Sequence, residues 1–94
     1  MDFQSDPTRR RLPDRGGVDF IRIELQMALT LLRLAATENS LGDRDGAEKA
    51  QALARDAYAN FNRFWPVVEQ RVTTEERSQI MELQQQVVEL LPHP

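Results

Sequence analysis

The amino-acid sequence predicts an all-α protein, an antiparallel three-helix bundle with helices over approximately residues 19–39, 45–65 and 74–91. Three observations lead to this prediction. Apolar residues recur at spacings of three and four within each segment, which places them on one face of a helix. A turn sequence from Gly42 to Gly46 separates the first two segments, and Pro66 separates the second from the third. No segment shows the alternation of apolar and polar residues that is typical of a strand.

Length and composition fit one small domain. The 94 residues, 40% hydrophobic and 29% charged, are near the lower size at which a single core is self-sufficient. A net charge of −3 disfavours nucleic-acid binding over the body of the domain. The apolar segment 20–36 contains Arg22, Glu24 and Arg33 and is too short to span a bilayer. We therefore expect no membrane contact and a cytoplasmic location.

Residues 1–17 are predicted to form an irregular N-terminal arm, followed by the bundle over 18–92 and a tail at 93–94. Pro7, Pro13 and the Gly16–Gly17 pair interrupt helical periodicity in this arm. Its run of arginines, Arg9 to Arg11, suggests contact with an acidic partner or with nucleic acid, although the acidic body of the domain opposes the latter.

The first helix is predicted to begin at Asp19, a suitable N-cap, and to end near Asn39. Apolar residues cover most of its circumference, so one neighbouring helix would leave part of this surface in water. The excess lies at Ile23, Met27 and Leu34, on one edge of the apolar arc. The helix therefore requires a third helix or a second chain.

The second helix has an acidic start, in which Asp45 is predicted to cap and Glu48 follows at capping-box spacing. Small residues near the turn give way to large ones at the far end, so the two helices should lie close at the turn and diverge from it. The apolar stripe comprises Ala47, Ala50, Ala54, Ala57, Phe61, Phe64 and Val68.

Pro66 is predicted to end or kink the second helix, with a short helical continuation to Arg71. The third helix then begins at Thr73 or Thr74, where Thr73 and Glu76 have capping-box spacing. Its apolar stripe is Ile80, Leu83, Val87 and Leu90, and Pro92 ends it.

Around the turn the sequence resembles half of a tetratricopeptide repeat. At four positions the motif takes leucine, a small residue and two alanines. This sequence matches it there with Leu34, Ala35, Ala47 and Ala54. At four other positions the motif takes tryptophan, tyrosine, a large apolar residue and proline. This sequence departs from it there, with Leu31, Glu38, Gln51 and Ala59 in that order. The resemblance implies a closely packed helical hairpin. The absence of self-similarity excludes a repeat array.

The layout of residues 20–91 is also similar to the microtubule-interacting-and-trafficking domain, with two long helices, a Gly-Asp turn, an alanine-lined second helix and a third helix. That resemblance implies a three-helix bundle that binds a peptide in a groove between helices. Gln84–Gln86 does not match the family's recognition surface, so only the fold and the general idea of a groove carry over.

The sequence predicts no catalytic, cofactor-binding or metal-binding residue. Asp43–Gly46 resembles part of a calcium loop, but Leu41 and Ala52 occupy positions of two essential ligands. The only histidine, His93, lies between two prolines near the C-terminus, and there is no cysteine. Two carboxylates fall within the apolar arc of the first helix, Glu24 and Glu38, but about 21 Å of helix separates them. We therefore expect that the protein is not an enzyme.

Three functional hypotheses agree with these observations. The first is a small protein-interaction module that binds a helix or peptide on the Ile23, Met27 and Leu34 edge, or near Tyr58 and Trp65. The second is a structural homodimer that pairs through the same edge. The third is a regulator that uses the basic arm. No cofactor is expected for any of them.

Overall fold

The structure, a computed structural model, describes the backbone of residues 7–92 and the side chains of residues 17–92. That part of the chain forms three α-helices, α1 (Pro7–Ser40), α2 (Arg44–Val68) and α3 (Thr74–Leu90), with a short 3-10 helix at Glu69–Arg71. The predicted all-α three-helix bundle is confirmed. α1 packs along α2 and, on an adjacent side, against α3, whereas α2 and α3 approach each other at few positions.

α1 is the central element because it contributes to the core on two sides. Its buried residues recur at helical spacing and are Val18, Ile21, Leu25, Ala28, Leu29 and Leu32. They pack in one cluster with Phe61 of α2 and with Ile80 and Val87 of α3, all of which are almost completely buried. The broad apolar arc predicted for the first helix is therefore divided between two partners.

α1 begins at Pro7 and not at Asp19, so the prediction of irregular structure is wrong for residues 7–17. Proline is well tolerated in the first turn of a helix, where its missing N–H has no partner anyway. Further along, Val18 is buried in the core, and a Cβ on Gly17 would lie only 3.3 Å from Val68 Cγ2. Packing thus already holds the helix before Asp19. The predicted arm residues 1–6 and the tail at 93–94 lie outside the described residues.

The turn between α1 and α2 closes with a left-handed glycine. Gly42 has φ +84°, and its N–H donates to the Asn39 carbonyl oxygen at 3.0 Å. The N–H of Asp43 donates to the Glu38 carbonyl oxygen at 2.8 Å, which completes a Schellman motif. Asp43 then caps α2, because its Oδ1 accepts from Gly46 N at 2.9 Å. The predicted cap at Asp45 is wrong: Asp45 lies in the first turn of α2.

The carboxyl groups of Glu38 and Asp43 interact across this turn. Their hydrogen bond raises the pKa of Glu38, and partial desolvation and the Asp43 charge act in the same direction. The same hydrogen bond, with the one from Gly46 N, lowers the pKa of Asp43. Both carboxyls lie over Gly46, where an added Cβ would collide with them. Glycine at this position leaves room for the cap.

Near the turn, α1 and α2 lie close together through small side chains. Ala35 of α1 forms a buried cluster with Ala47 and Ala50 of α2, bordered by Leu31. At the far end of α2 the residues between the helices are large, with Phe61 fully buried and Trp65 partly buried. The buried side chains of α2 therefore increase in size away from the turn, and α3 packs at the end with the large residues.

Pro66 neither ends α2 nor separates it from the 3-10 helix that comes next. α2 continues to Val68, and the Glu69 N–H still donates to the Trp65 carbonyl oxygen. The helical continuation to Arg71 is confirmed as a 3-10 turn. The predicted capping box of α3 is also present: Thr73 Oγ1 accepts from Glu76 N, and Glu76 Oε1 accepts from Thr73 N, each at 3.0 Å.

Replacing Ala50 by leucine should destabilise the domain by about 1–3 kcal/mol, because the additional carbons must fit where α1 and α2 are closest. Ala52→Leu is the matched control, since Ala52 is exposed on the same helix. Urea denaturation followed by circular dichroism measures both. Equal effects of the two substitutions would contradict the close approach.

Glu38→Gln should raise the free energy of unfolding at pH 7, because glutamine donates a permanent hydrogen bond to Asp43 and removes a like charge. The raised pKa of Glu38 means that its protonated form is favoured in the folded state. The advantage of glutamine should therefore shrink as pH falls through that pKa. Asp43, with its lowered pKa, keeps its cap until more acidic pH. Denaturation between pH 7 and pH 4 tests this, and a pH-independent advantage would contradict it.

Candidate functional site

The α1–α2 pair has one side that no described helix covers. α3 packs on the opposite side, where Arg22 Nη2 donates to Gln79 Oε1 at 2.9 Å. At helical spacing, the exposed apolar residues of α1 and α2 point away from that contact. We call this surface the open face; it comprises Phe20, Ile23, Met27 and Leu34 of α1 and Leu53, Phe64 and Val67 of α2.

Two apolar grooves follow one another along the open face. The first, of about 350 Å³, is lined by Gly17, Phe20, Phe64, Val67, Val68 and Arg71. The second, of about 310 Å³, lies between Met27 and Leu31 of α1 and Leu53, Ala57 and Asn60 of α2. From Leu53 to Val67 the helix rises about 21 Å, so the grooves together match roughly four turns of a further helix.

Aromatic contacts form the part of the first groove that lies nearest the second. The rings of Phe20 and Phe64 meet edge to face, with centroids 5.5 Å apart. The guanidinium carbon of Arg63 lies 5.4 Å from the Phe64 ring centroid. Because both rings have neighbours, the apolar surface is preformed even though about 40% of each side chain remains exposed.

Glu24 is the only buried charged residue among the described side chains, and it lies on the open face. It is 7% exposed and lines the second groove, where exposed Asp56 also lies. Its Oε1 accepts one hydrogen bond, from Asn60 Nδ2 at 3.3 Å, a long distance for such a bond. No ion pair to Glu24 is present within residues 17–92. A carboxylate at a buried position with one long hydrogen bond receives little compensation from the described side chains.

The five predicted interface residues fall on two different sides of the molecule. Ile23, Met27 and Leu34 lie on the open face and are between 43% and 55% exposed. Tyr58 and Trp65 are partly buried and face α3. The structure therefore does not bring the five together.

Tyr58 and Trp65 help to hold α3 in place. With Phe61 they form a stack along α2, with centroid separations of 5.7 and 5.6 Å. Gln84 Nε2 donates to Tyr58 Oη at 3.0 Å, and the guanidinium carbon of Arg77 lies 5.9 Å from the Trp65 ring centroid. These contacts account for their conformation without any ligand.

Sequence reasoning missed the α2 half of the open face. It assigned Phe64 to the core stripe, whereas the structure exposes it beside Phe20. The missed signal is a second stripe on α2, one position away from the alanine stripe, that runs through Leu53, Asn60, Phe64 and Val67. The apolar members of that stripe, Leu53, Phe64 and Val67, are exposed in the structure.

Metal-binding and membrane-spanning features do not occur in the described part of the chain. No group of three or more potential metal ligands is found among the described side chains. Of the described helices, none combines the length and the apolar character needed to cross a membrane. The Arg9–Arg11 side chains and His93 lie outside the side chains that the structure describes.

No protein-family model, curated protein or solved structure matches this chain. The resemblance to the tetratricopeptide repeat and to the microtubule-interacting-and-trafficking domain thus stays a prediction.

Glu24→Gln should raise the free energy of unfolding by about 1 kcal/mol at pH 7, because it removes a buried charge and keeps an acceptor for Asn60. Glu89→Gln makes the same change at an exposed position of α3 and should alter stability little. Urea denaturation of both variants measures the difference. Destabilisation by Glu24→Gln would show that the carboxylate is well compensated in the free domain.

Proposed function

We propose that this protein is a small non-catalytic interaction module that binds an amphipathic helix on its open face. The observation that supports the proposal is the succession of two apolar grooves on the same side of the α1–α2 pair. An amphipathic helix laid between α1 and α2 would turn the three-helix bundle into a four-helix arrangement. Its apolar residues would cover side chains that are otherwise about half exposed.

The packing between α1 and α2 favours this function. The alanine cluster and the Schellman turn fix the pair at one end, and Phe61 fills it at the other. A partner would therefore meet a surface that needs little rearrangement, which lowers the cost of association. The proposal places the module in the cytoplasm, in agreement with a sequence that has no cysteine.

A homodimer through the same face is the second candidate. The observation that favours it is the exposure of the apolar side chains on the open face, between 37% and 55%, which a second copy would cover with the same side chains.

Met27→Asp should abolish binding of helices to the open face, because it places a charge in the second groove. The probe is a phage-displayed library of 16-residue helices with a randomised stripe, selected on the immobilised 94-residue chain. We expect amphipathic sequences whose affinity falls by about tenfold or more in the variant. Val88→Asp is the matched control, because Val88 is similarly exposed but lies on α3 outside both grooves.

Sedimentation equilibrium of the same three proteins separates the two candidates. A wild-type monomer from which helices are selected supports the interaction module. If the wild type is a dimer that Met27→Asp dissociates and Val88→Asp leaves intact, the result supports the homodimer and contradicts the interaction module. Failure to select any helix on a monomer overturns the proposal.

A further inference from the structure

We propose that the helix bound on the open face carries a lysine or arginine in the middle of its apolar stripe, and that Glu24 binds this cation. This inference rests on the proposed function and defines the partner's chemistry. Glu24 has no counterpart elsewhere in the described core, since every other buried residue there is apolar. A cation on the bound helix would compensate the cost of burying this carboxylate.

The position of Glu24 sets where the cation must lie. Glu24 and Asn60 are one helical turn from Phe20 and Phe64, at the junction of the two grooves. A helix that fills both grooves passes over this junction near its midpoint. The basic residue is therefore central in the partner's stripe, with apolar residues about one and two turns to either side.

The electrostatics of the junction favour a cation. Asn60 supplies one long hydrogen bond to Oε1, and the described residues provide no cation for Glu24. Asp56 adds a second negative charge to the second groove, whose lining contains no basic residue; Arg63 lies over Phe64, and Arg71 lines the first groove. A lysine or arginine stem can cover Met27 and Leu53 while its charged end reaches Glu24. Docking of the partner also removes water, which strengthens the ion pair.

The same arrangement rejects wrong partners. A helix with an apolar residue at the central position would leave the Glu24 carboxylate covered and without a cation. A helix with glutamate there would add repulsion from Glu24 and Asp56. Glu24 thus discriminates between amphipathic helices that have equivalent apolar residues and differ at the central position.

The test compares helices selected from the phage-displayed library on the wild type and on Glu24→Gln. We expect wild-type sequences to be enriched in lysine or arginine at the central stripe position and the enrichment to disappear with Glu24→Gln. Glutamine retains an acceptor for Asn60, and Glu89→Gln, an exposed site on α3, controls for the change in net charge.

Synthetic peptides with arginine or glutamine at the central position then complete a double-mutant cycle by fluorescence anisotropy. The arginine peptide should bind the wild type about tenfold more tightly than the glutamine peptide, with a difference below about twofold in Glu24→Gln. Glu89→Gln should retain the wild-type preference.

The outcomes separate the two proposals. Helices that bind the open face with no preference for a basic residue overturn the role of Glu24 and leave the proposed function standing. Absence of any selected helix overturns both. A dimer that Met27→Asp dissociates identifies a second copy as the occupant and overturns the basic amphipathic helix as the partner.

Discussion

The close approach of α1 and α2 at Ala35, Ala47 and Ala50 is the constraint on which the rest of the structure depends. Small side chains at one end and Phe61 at the other make the pair diverge away from the turn. α3 packs where the pair is wide and uses Ile80 and Val87 to reach the α1 core. Because α3 has only 17 residues and covers one side, the described part of the chain leaves the other side of the pair uncovered.

The sequence was sufficient to predict the elements for which local chemistry and tertiary packing agree. The alanine stripe and the Thr73–Glu76 capping box appear as expected because their patterns have few alternatives. Asp19 and Asp45 were wrongly predicted as caps because several residues near a helix start can cap it. Packing or the preceding turn then determines which of them does. Gly17 and Val18 already pack before Asp19, and Asp43 follows the left-handed Gly42 directly.

The open face could be predicted only in part. The sequence identified Ile23, Met27 and Leu34 because the apolar arc of α1 is too wide for one neighbour. It could not show which edge α3 would cover, and Tyr58 and Trp65 were consequently assigned to a surface that α3 occupies. Phe64 was missed because a helical wheel does not distinguish core from contact surface where the exposed and buried stripes are adjacent. Only the arrangement of three helices resolves that distinction.

Pro66 locally weakens the hydrogen-bond ladder in the last turn of α2. Proline has no amide hydrogen to donate to the Asn62 carbonyl, so one bond of the helical ladder is missing at this point. The final turn can therefore open at a lower free energy than the stem of α2, and its amides should exchange with solvent sooner. Val67 and Val68, which line one groove, belong to this turn. Opening of this turn and occupation of the groove are thus thermodynamically linked. The amides after Pro66 would exchange more slowly with a helix bound in the groove than in the free protein.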